Sequence, residues 1–282
     1  MMNCYRKACR IIDEFKPDIA IGFGGYVSAP VMLAAHHKHV ATMIHEQNSI
    51  VGVSNKMVAK YMDAIVICYE KCFEEFGREK TRLLGNPRAT NAVHAKFDRD
   101  YFLSLGLSLH KPLILVVMGS LGSTSVNAIM KDALPAVSER YQILFVTGKN
   151  NYEEMRKQIH APHVKVVDYV KQLDIMAHVD LIVCRAGATT AAEITALGTP
   201  SILVPSPYVA HNHQFYNASV LVDHKAAVML EEKDLNAEAL SNAIDRIMSD
   251  DLLRASMHSA SLALGKPNAS EDILNWCDEM KR

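Results

Sequence analysis

The sequence is poor in several features, and each shortage excludes a class of protein. No uninterrupted apolar run approaches the ~18 residues of a transmembrane helix, and the start has no apolar stretch leading to a small-residue cleavage site. A soluble protein is expected, or one that at most rests on a membrane surface. Excess charge is lacking too: 30 Lys and Arg stand against 31 Asp and Glu, a net charge of −1, so no overall positive field exists to draw in nucleic acid. The six cysteines (Cys4, Cys9, Cys68, Cys72, Cys184 and Cys277) include no CxxC pair. A chain of this length needs no covalent staples, so reduced, cytosolic thiols are expected. Cys68 and Cys72 would fall one turn apart on a helix, but two thiols without further ligands make a poor metal site.

Apolar residues are plentiful, 49% of 282, enough for a large core and better suited to two domains than to one oversized sheet. Short β-rich runs alternate with helical patterns almost from end to end. "DIAIGF" (18–23), "VATMIH" (40–45) and "AIVICY" (64–69) form a first series. "PLILVVMG" (112–119), "YQILFVTG" (141–148), "VKVVDY" (164–169), "VDLIVC" (179–184), "PSILVP" (200–205) and "AAVML" (226–230) form a second. Continuous apolar strands between helices predict parallel sheets covered on both faces, an α/β doubly wound architecture. Residues 93–110 lie in a stretch with Gly, Pro and Asn upstream and no sustained apolar period, and are expected to connect a first domain, 1–92, to a second, 111–268. About six strands complete a Rossmann-like second domain, whereas about three or four leave the first incomplete. The chain opens with an amphipathic helix whose stripe is Tyr5, Cys9, Ile12 and Phe15.

Several loops at strand ends carry groups that could do chemistry. "GFGGYVSAP" (22–30) permits a tight turn and close backbone approach to a ligand, or simply redirects the chain. In "HEQNSIVG" (45–52), His45 and Glu46 are either ligand contacts at a strand's carboxyl end or a satisfied buried pair. "VVMGSLGSTSVN" (116–127) offers backbone N–H groups and hydroxyls at a helix N-terminus, where an anion is favoured, but lacks the Walker lysine; Ser123 or Ser125 could equally be plain caps. "CRAGATTAAE" (184–193) repeats that geometry, and Glu193 could complement the helix dipole or accept both hydroxyls of a ribose. "PSPYVAHNHQFYNAS" (205–219) leads into a helix bearing His211, His213, Gln214 and Asn217, a polar site in which the HxH pair alone is a weak metal set. "HHKH" (36–39) suits a solvated helix end, and "DRD" (98–100) suits helix capping better than metal binding.

Taken together, "GFGGYVSAP", "HEQN", "GNPRA", "GSLGS", "CRAGATTAAE" and "NHQFYNA", in this order and spacing, resemble the peptidoglycan N-acetylglucosaminyltransferases of glycosyltransferase family 28. These use UDP-N-acetylglucosamine to convert undecaprenyl-diphospho-muramoyl-pentapeptide, lipid I, into lipid II. The resemblance runs from about Tyr5 to Trp276. It implies the GT-B fold, two Rossmann-like domains facing across a cleft, with 269–282 as a final helix crossing back to the first. It implies that Ser120 contacts the donor near its diphosphate, that Val170 meets the uracil through its backbone, and that Ala188, Thr189 and Thr190 line diphosphate and sugar. Glu193 would hold the ribose diol, and Gln214 and Asn217 would read the sugar hydroxyls. Asn48 and Arg88 would reach toward the donor from the first domain, where Gly24, Gly25 and Tyr26 would line the acceptor side. Two departures stand out: Met118 and Ser123 replace a usual Gly and Ala, and the family's GGTGGH-type loop after its first strand is absent from these 282 residues. An upstream βαβ portion of about 70 residues would complete the first domain.

That loop carries the family's expected general base, so no residue here is assigned that role, and weak donor binding with poor turnover is expected of the 282 residues. The implied reaction is inverting: the muramoyl 4-hydroxyl attacks the anomeric carbon opposite UDP. Helix N-termini and Arg88 would stabilise the leaving diphosphate, with no cofactor and no divalent metal required by any motif. A lipid-linked acceptor implies a peripheral enzyme on the cytoplasmic face of the bacterial cell membrane, in contact with the inner membrane surface and not with nucleic acid. The alternatives are a UDP-N-acetylglucosamine 2-epimerase, which would form UDP-N-acetylmannosamine without an acceptor, and a non-catalytic sugar-nucleotide-binding fragment.

Overall fold

Both series of apolar runs become parallel strands in a computed structural model, which describes residues 2–119 and 122–281. The chain divides into two units, Met1–Thr90 with Lys266–Arg282, and Asn91–Gly265.

The first unit contains α1 (Met2–Phe15), β1 (Ile19–Gly22), α2 (Ser28–His37), β2 (Ala41–Glu46), α3 (Val53–Val58), β3 (Ala64–Ile67), α4 (Phe73–Phe76) and β4 (Thr81–Leu83), after which α5 (Arg88–His94) runs on into the second unit. Its four strands pair in chain order, all parallel, with Ile21 beside Met43 and Ile44 beside Ile65. Successive side chains of a strand point to opposite faces. Ile44, Ile65 and Ile67 therefore pack with Met32 of α2 on one face, while Met43, Ala64 and Val66 meet Ile273, Trp276 and Cys277 of the last helix on the other. On α1, Ala8 and Ile12 are buried and Tyr5 and Cys9 half-buried in a cluster with Ala34 and Ala35 of α2. Phe15 departs from the predicted stripe, being 77% exposed: the helix stops there, and Lys16 turns the backbone at φ 49°.

The second unit holds α6 (Arg99–Ser104), β5 (Leu113–Val117), α7 (Thr124–Ala133), β6 (Gln142–Val146), α8 (Tyr152–Gln158), β7 (Val164–Val167), β8 (Leu181–Cys184), α9 (Ala188–Leu197), β9 (Ser201–Leu203), α10 (His213–Asp223), β10 (Ala227–Met229), α11 (Ala237–Ser249) and α12 (Asp251–Leu264). The chain then returns to the first unit as α13 (Ala269–Met280). The parallel sheet has the order β10-β9-β8-β5-β6-β7. The chain thus starts at the centre, moves outward through β6 and β7, and crosses back to β8, which is the doubly wound order. Ile114, Val116, Ile143 and Phe145 pack with Val126 and Met130 of α7 on one face. Leu115, Leu144, Ile182 and Cys184 pack with Ile194 of α9 and Leu221 of α10 on the other.

The segment 93–110 is not a free connection. Phe102 and Leu107 are buried in this second core and Phe97, Tyr101, Leu105 and Leu109 pack on it, while Asp98 N–H donates to Asp174 O. These apolar residues follow a short helix and its flanks, so no single period announced them. Asp98 caps α6 by accepting from Tyr101 N–H at 2.9 Å, as "DRD" suggested.

Candidate functional site

In an open parallel sheet a ligand lies outside the carboxyl ends of the strands, where the strand order reverses. Here that point is the β5–β8 boundary, with Val117 paired to Cys184, so the loops leaving these two strands lie side by side. On the β5 side, Gly119 and Gly122 adopt φ 84° and 71°. A Cβ on Gly122 would stand 2.1 Å from Thr147 O, so only glycine fits this close approach. The next residues fasten to the same neighbour loop: Thr124 Oγ1 donates to Asn151 Oδ1 at 3.1 Å and Asn127 Nδ2 to Thr147 O at 3.0 Å. Ser123 precedes α7 in extended conformation but does not cap it with its side chain; its Oγ accepts from Arg185 Nη2 at 2.9 Å. Ser120 lies outside the described residues.

On the β8 side, Gly187 leads into α9 with extended backbone and no side-chain cap. The N–H groups of the first turn, at Ala188, Thr189 and Thr190, and the helix dipole together favour an anion at this end. Glu193 follows one turn later, 3% exposed, its Oε2 accepting from Gln172 Nε2 at 3.1 Å. Burial, and then the charge of Glu193, push the Cys184 thiol well above its ordinary range, so it is no nucleophile at neutral pH. Asn217 is fully buried on α10 and donates to Ala186 O at 3.2 Å, fixing the loop that opens α9. Gln214 Oε1 accepts from Ser206 N–H at 2.9 Å, which leaves its amide N–H₂ as the donor end of the side chain. Val170 is buried beside Ile175 in the loop after β7. A cavity of about 480 Å³ lies elsewhere, at the amino ends of β8 and β9, bordered by Asp180, Gly198, Arg254 and His258.

In the first unit the loop after β2 is built around one carboxylate. Glu46 accepts from the backbone N–H of Asn48 (3.1 Å) and Gly52 (2.8 Å) and from Asn55 Nδ2 (2.9 Å). His45 is buried beside it and donates from Nε2 to Gly85 O at 2.9 Å. Burial depresses its pKa, against the opposing pull of the Gly85 bond and the Glu46 charge. Gly24 and Gly25 turn at φ 79° and 83°, with the Asn55 side chain against Gly24, and Tyr26 is 83% exposed. Arg88 opens α5, its N–H bonded to Asn86 Oδ1 at 3.0 Å.

A transferase of Limosilactobacillus reuteri, described as "UDP-N-acetylglucosamine--N-acetylmuramyl-(pentapeptide) pyrophosphoryl-undecaprenol N-acetylglucosamine transferase", is 43% identical over 282 residues, covering 97% of this chain and 76% of its own. Residues 113–273 match the glycosyltransferase family 28 C-terminal domain and residues 1–67 the N-terminal domain. The chain belongs to glycosyltransferase family 28. A crystal structure of Acinetobacter baumannii MurG superposes with a TM-score of 0.82 at 25% identity, covering 98% of this chain and 77% of the other. The expected fold, two Rossmann-like parallel-sheet domains of GT-B type, is therefore the fold of this family 28 chain. A UDP-N-acetylglucosamine 2-epimerase structure from Listeria monocytogenes, at 13% identity and TM-score 0.77 over 97% of this chain and 77% of that one, shares the fold alone.

In the second unit Val170 lies in the loop after β7, Ala188, Thr189, Thr190 and Glu193 lie on α9, and Gln214 and Asn217 lie on α10, while Gly24, Gly25, Tyr26, Asn48 and Arg88 belong to the first. Of the two readings open at the outset, burial holds for both His45 and Glu46, but only Glu46 is satisfied: His45 is bonded through Nε2 to Gly85 O, and its buried Nδ1 has no hydrogen-bond partner among the described residues. "HHKH" closes α2, with Lys38 as its C-cap, and His213 Nδ1 is bonded to its local carbonyl, Ala210 O. Residues missed from the sequence are Gln172, Arg185 and Glu232. Arg185 alone left a signal, a charge directly after an apolar strand at the switch point.

Proposed function

We propose that this protein transfers N-acetylglucosamine from UDP-N-acetylglucosamine to the muramoyl 4-hydroxyl of lipid I, forming lipid II. The observation that carries the proposal is 43% identity to a transferase of this description over nearly the whole chain, with Glu193 buried one turn into an uncapped helix at the switch point. The amino ends of α7 and α9 receive the diphosphate, Ala188, Thr189 and Thr190 line it and the sugar, and Glu193 takes the ribose hydroxyls in charge-assisted bonds. Val170 meets the uracil through its backbone, and Gln214 and Asn217 select the sugar. Gly24, Gly25 and Tyr26 serve the acceptor. The roles of Asn48, Arg88 and Ser120 toward the donor rest on the resemblance.

Displacement at the anomeric carbon inverts its configuration. Negative charge gathers on the departing diphosphate, where helix dipoles already point, so the protein stabilises the leaving group by preorganised electrostatics. A lipid-linked acceptor places the enzyme at the cytoplasmic membrane surface as a peripheral protein; among the described residues, no helix is long and apolar enough to cross a membrane.

Incubating the chain with labelled UDP-N-acetylglucosamine, with and without lipid I, tests this reaction against its epimerase alternative. Label is expected in the lipid fraction only when lipid I is present. Appearance of UDP-N-acetylmannosamine without acceptor would overturn the proposal.

A further inference from the structure

One charged pair at the donor edge has no role in the reaction described so far. Arg185 Nη1 and Glu232 Oε2 stand 2.8 Å apart, with 11% of each side chain exposed. Among the described residues, the further contacts of the pair end on loops of the same sheet edge and on the first turn of α7. Arg185 donates from Nη2 to Ser123 Oγ at 2.9 Å and from Nη1 to Val204 O at 3.1 Å, and Ser125 Oγ donates to Glu232 Oε1 at 2.8 Å. Ser123 follows β5, Arg185 follows β8, Val204 follows β9 and Glu232 follows β10. One guanidinium and one carboxylate thus join the carboxyl-end loops of four strands, and two of their contacts fall on Ser123 and Ser125, which flank the first residue of α7.

The chemistry of the pair suits fastening. A planar guanidinium presents five N–H groups in a fixed fork and holds several acceptors at once, which an ammonium on a flexible stem does not. A lone carboxylate near a bound diphosphate would repel it, and pairing with Arg185 cancels that charge locally. The hydroxyl that would ordinarily cap α7 is drawn to Arg185 instead, so the helix end keeps its N–H groups for another acceptor.

We propose that Arg185 is a positioning residue of the donor site: with Glu232 as its counter-charge it sets Ser123, and through it the amino end of α7, in the place where the diphosphate binds. It acts through Ser123 and does not itself hold the nucleotide. The assignment rests on the donor-site reading above.

The test measures binding of UDP, and of uridine as a probe without phosphate, to the full chain as wild type, Arg185→Gln, Ser123→Ala and the double variant. Each single variant is expected to weaken UDP about tenfold, the effect of losing one charge-assisted bond, while uridine stays within about twofold. The double variant should lose no more than the worse single, because both act along one path. Equal weakening of UDP and uridine would mean a general structural role and overturn the proposal. A double variant weakened by the product of the singles, about a hundredfold, would overturn it in favour of direct phosphate contact. Should Arg185→Gln not fold, Ser123→Ala keeps the ion pair whole and still decides: unchanged UDP affinity overturns the proposal. A wild-type chain that binds neither ligand overturns the donor-site reading and this assignment together, whereas UDP binding with unchanged variants overturns the assignment alone.

Discussion

Glu46 is bound more tightly into its own loop than into any surface a substrate could reach. Its carboxylate accepts three N–H donors, from Asn48, Gly52 and Asn55; removing it takes the acceptor from two part-buried backbone N–H groups and leaves the buried Asn55 amide only His45 O. Glu46→Ala is expected to cost about 1–3 kcal/mol, the order of one lost charge-assisted network of part-buried donors. The one tryptophan, Trp276, packs in this first unit, so its fluorescence during urea unfolding reports the loss directly. His45 adds a pH dependence. Burial holds its folded pKa below the ordinary 6.5, so as pH falls the unfolded chain takes up the proton first. Stability is full above about pH 6.5 and declines below it toward the folded pKa. Comparing urea midpoints at about pH 7.5 and 5.5 should show a larger fall for the wild type than for His45→Gln; equal falls would assign the acid sensitivity to another group.

At the scale of elements, the helix that returns from the second unit covers one face of the first unit's sheet. Ile273, Trp276 and Cys277 of α13 cover Met43, Ala64 and Val66, a face no other helix covers among the described residues in that cluster. Ile273→Ala is expected to destabilise the unit by about 2–4 kcal/mol, read from the same fluorescence midpoint. Most elements were legible because strands buried on both faces read as unbroken apolar runs and strongly amphipathic helices as stripes. The segment 93–110 was not, since Phe97, Phe102 and Leu107 enter the core from a short helix and its flanks and share no period. The candidate loops were legible in the sequence, and so was the helix start at Ala188 with Glu193 in its second turn; the burial of Glu193 was not. Nor were the site's fastenings. Gln172 to Glu193, Arg185 to Glu232 and Gly122 to Thr147 are contacts made only when distant loops meet, and no local pattern encodes them.

For the whole molecule, membership of family 28 and the doubly wound second unit supply the donor chemistry, while the proton acceptor for the muramoyl hydroxyl has no assigned residue among these 282. The most direct test of the account is calorimetric titration of UDP-N-acetylglucosamine into the wild type and Glu193→Ala, with circular dichroism to compare their folds. Saturable binding by the wild type, weakened about tenfold or more in a normally folded Glu193→Ala, is the predicted result. Equal affinity in the two proteins would contradict the account and return this stretch to scaffold.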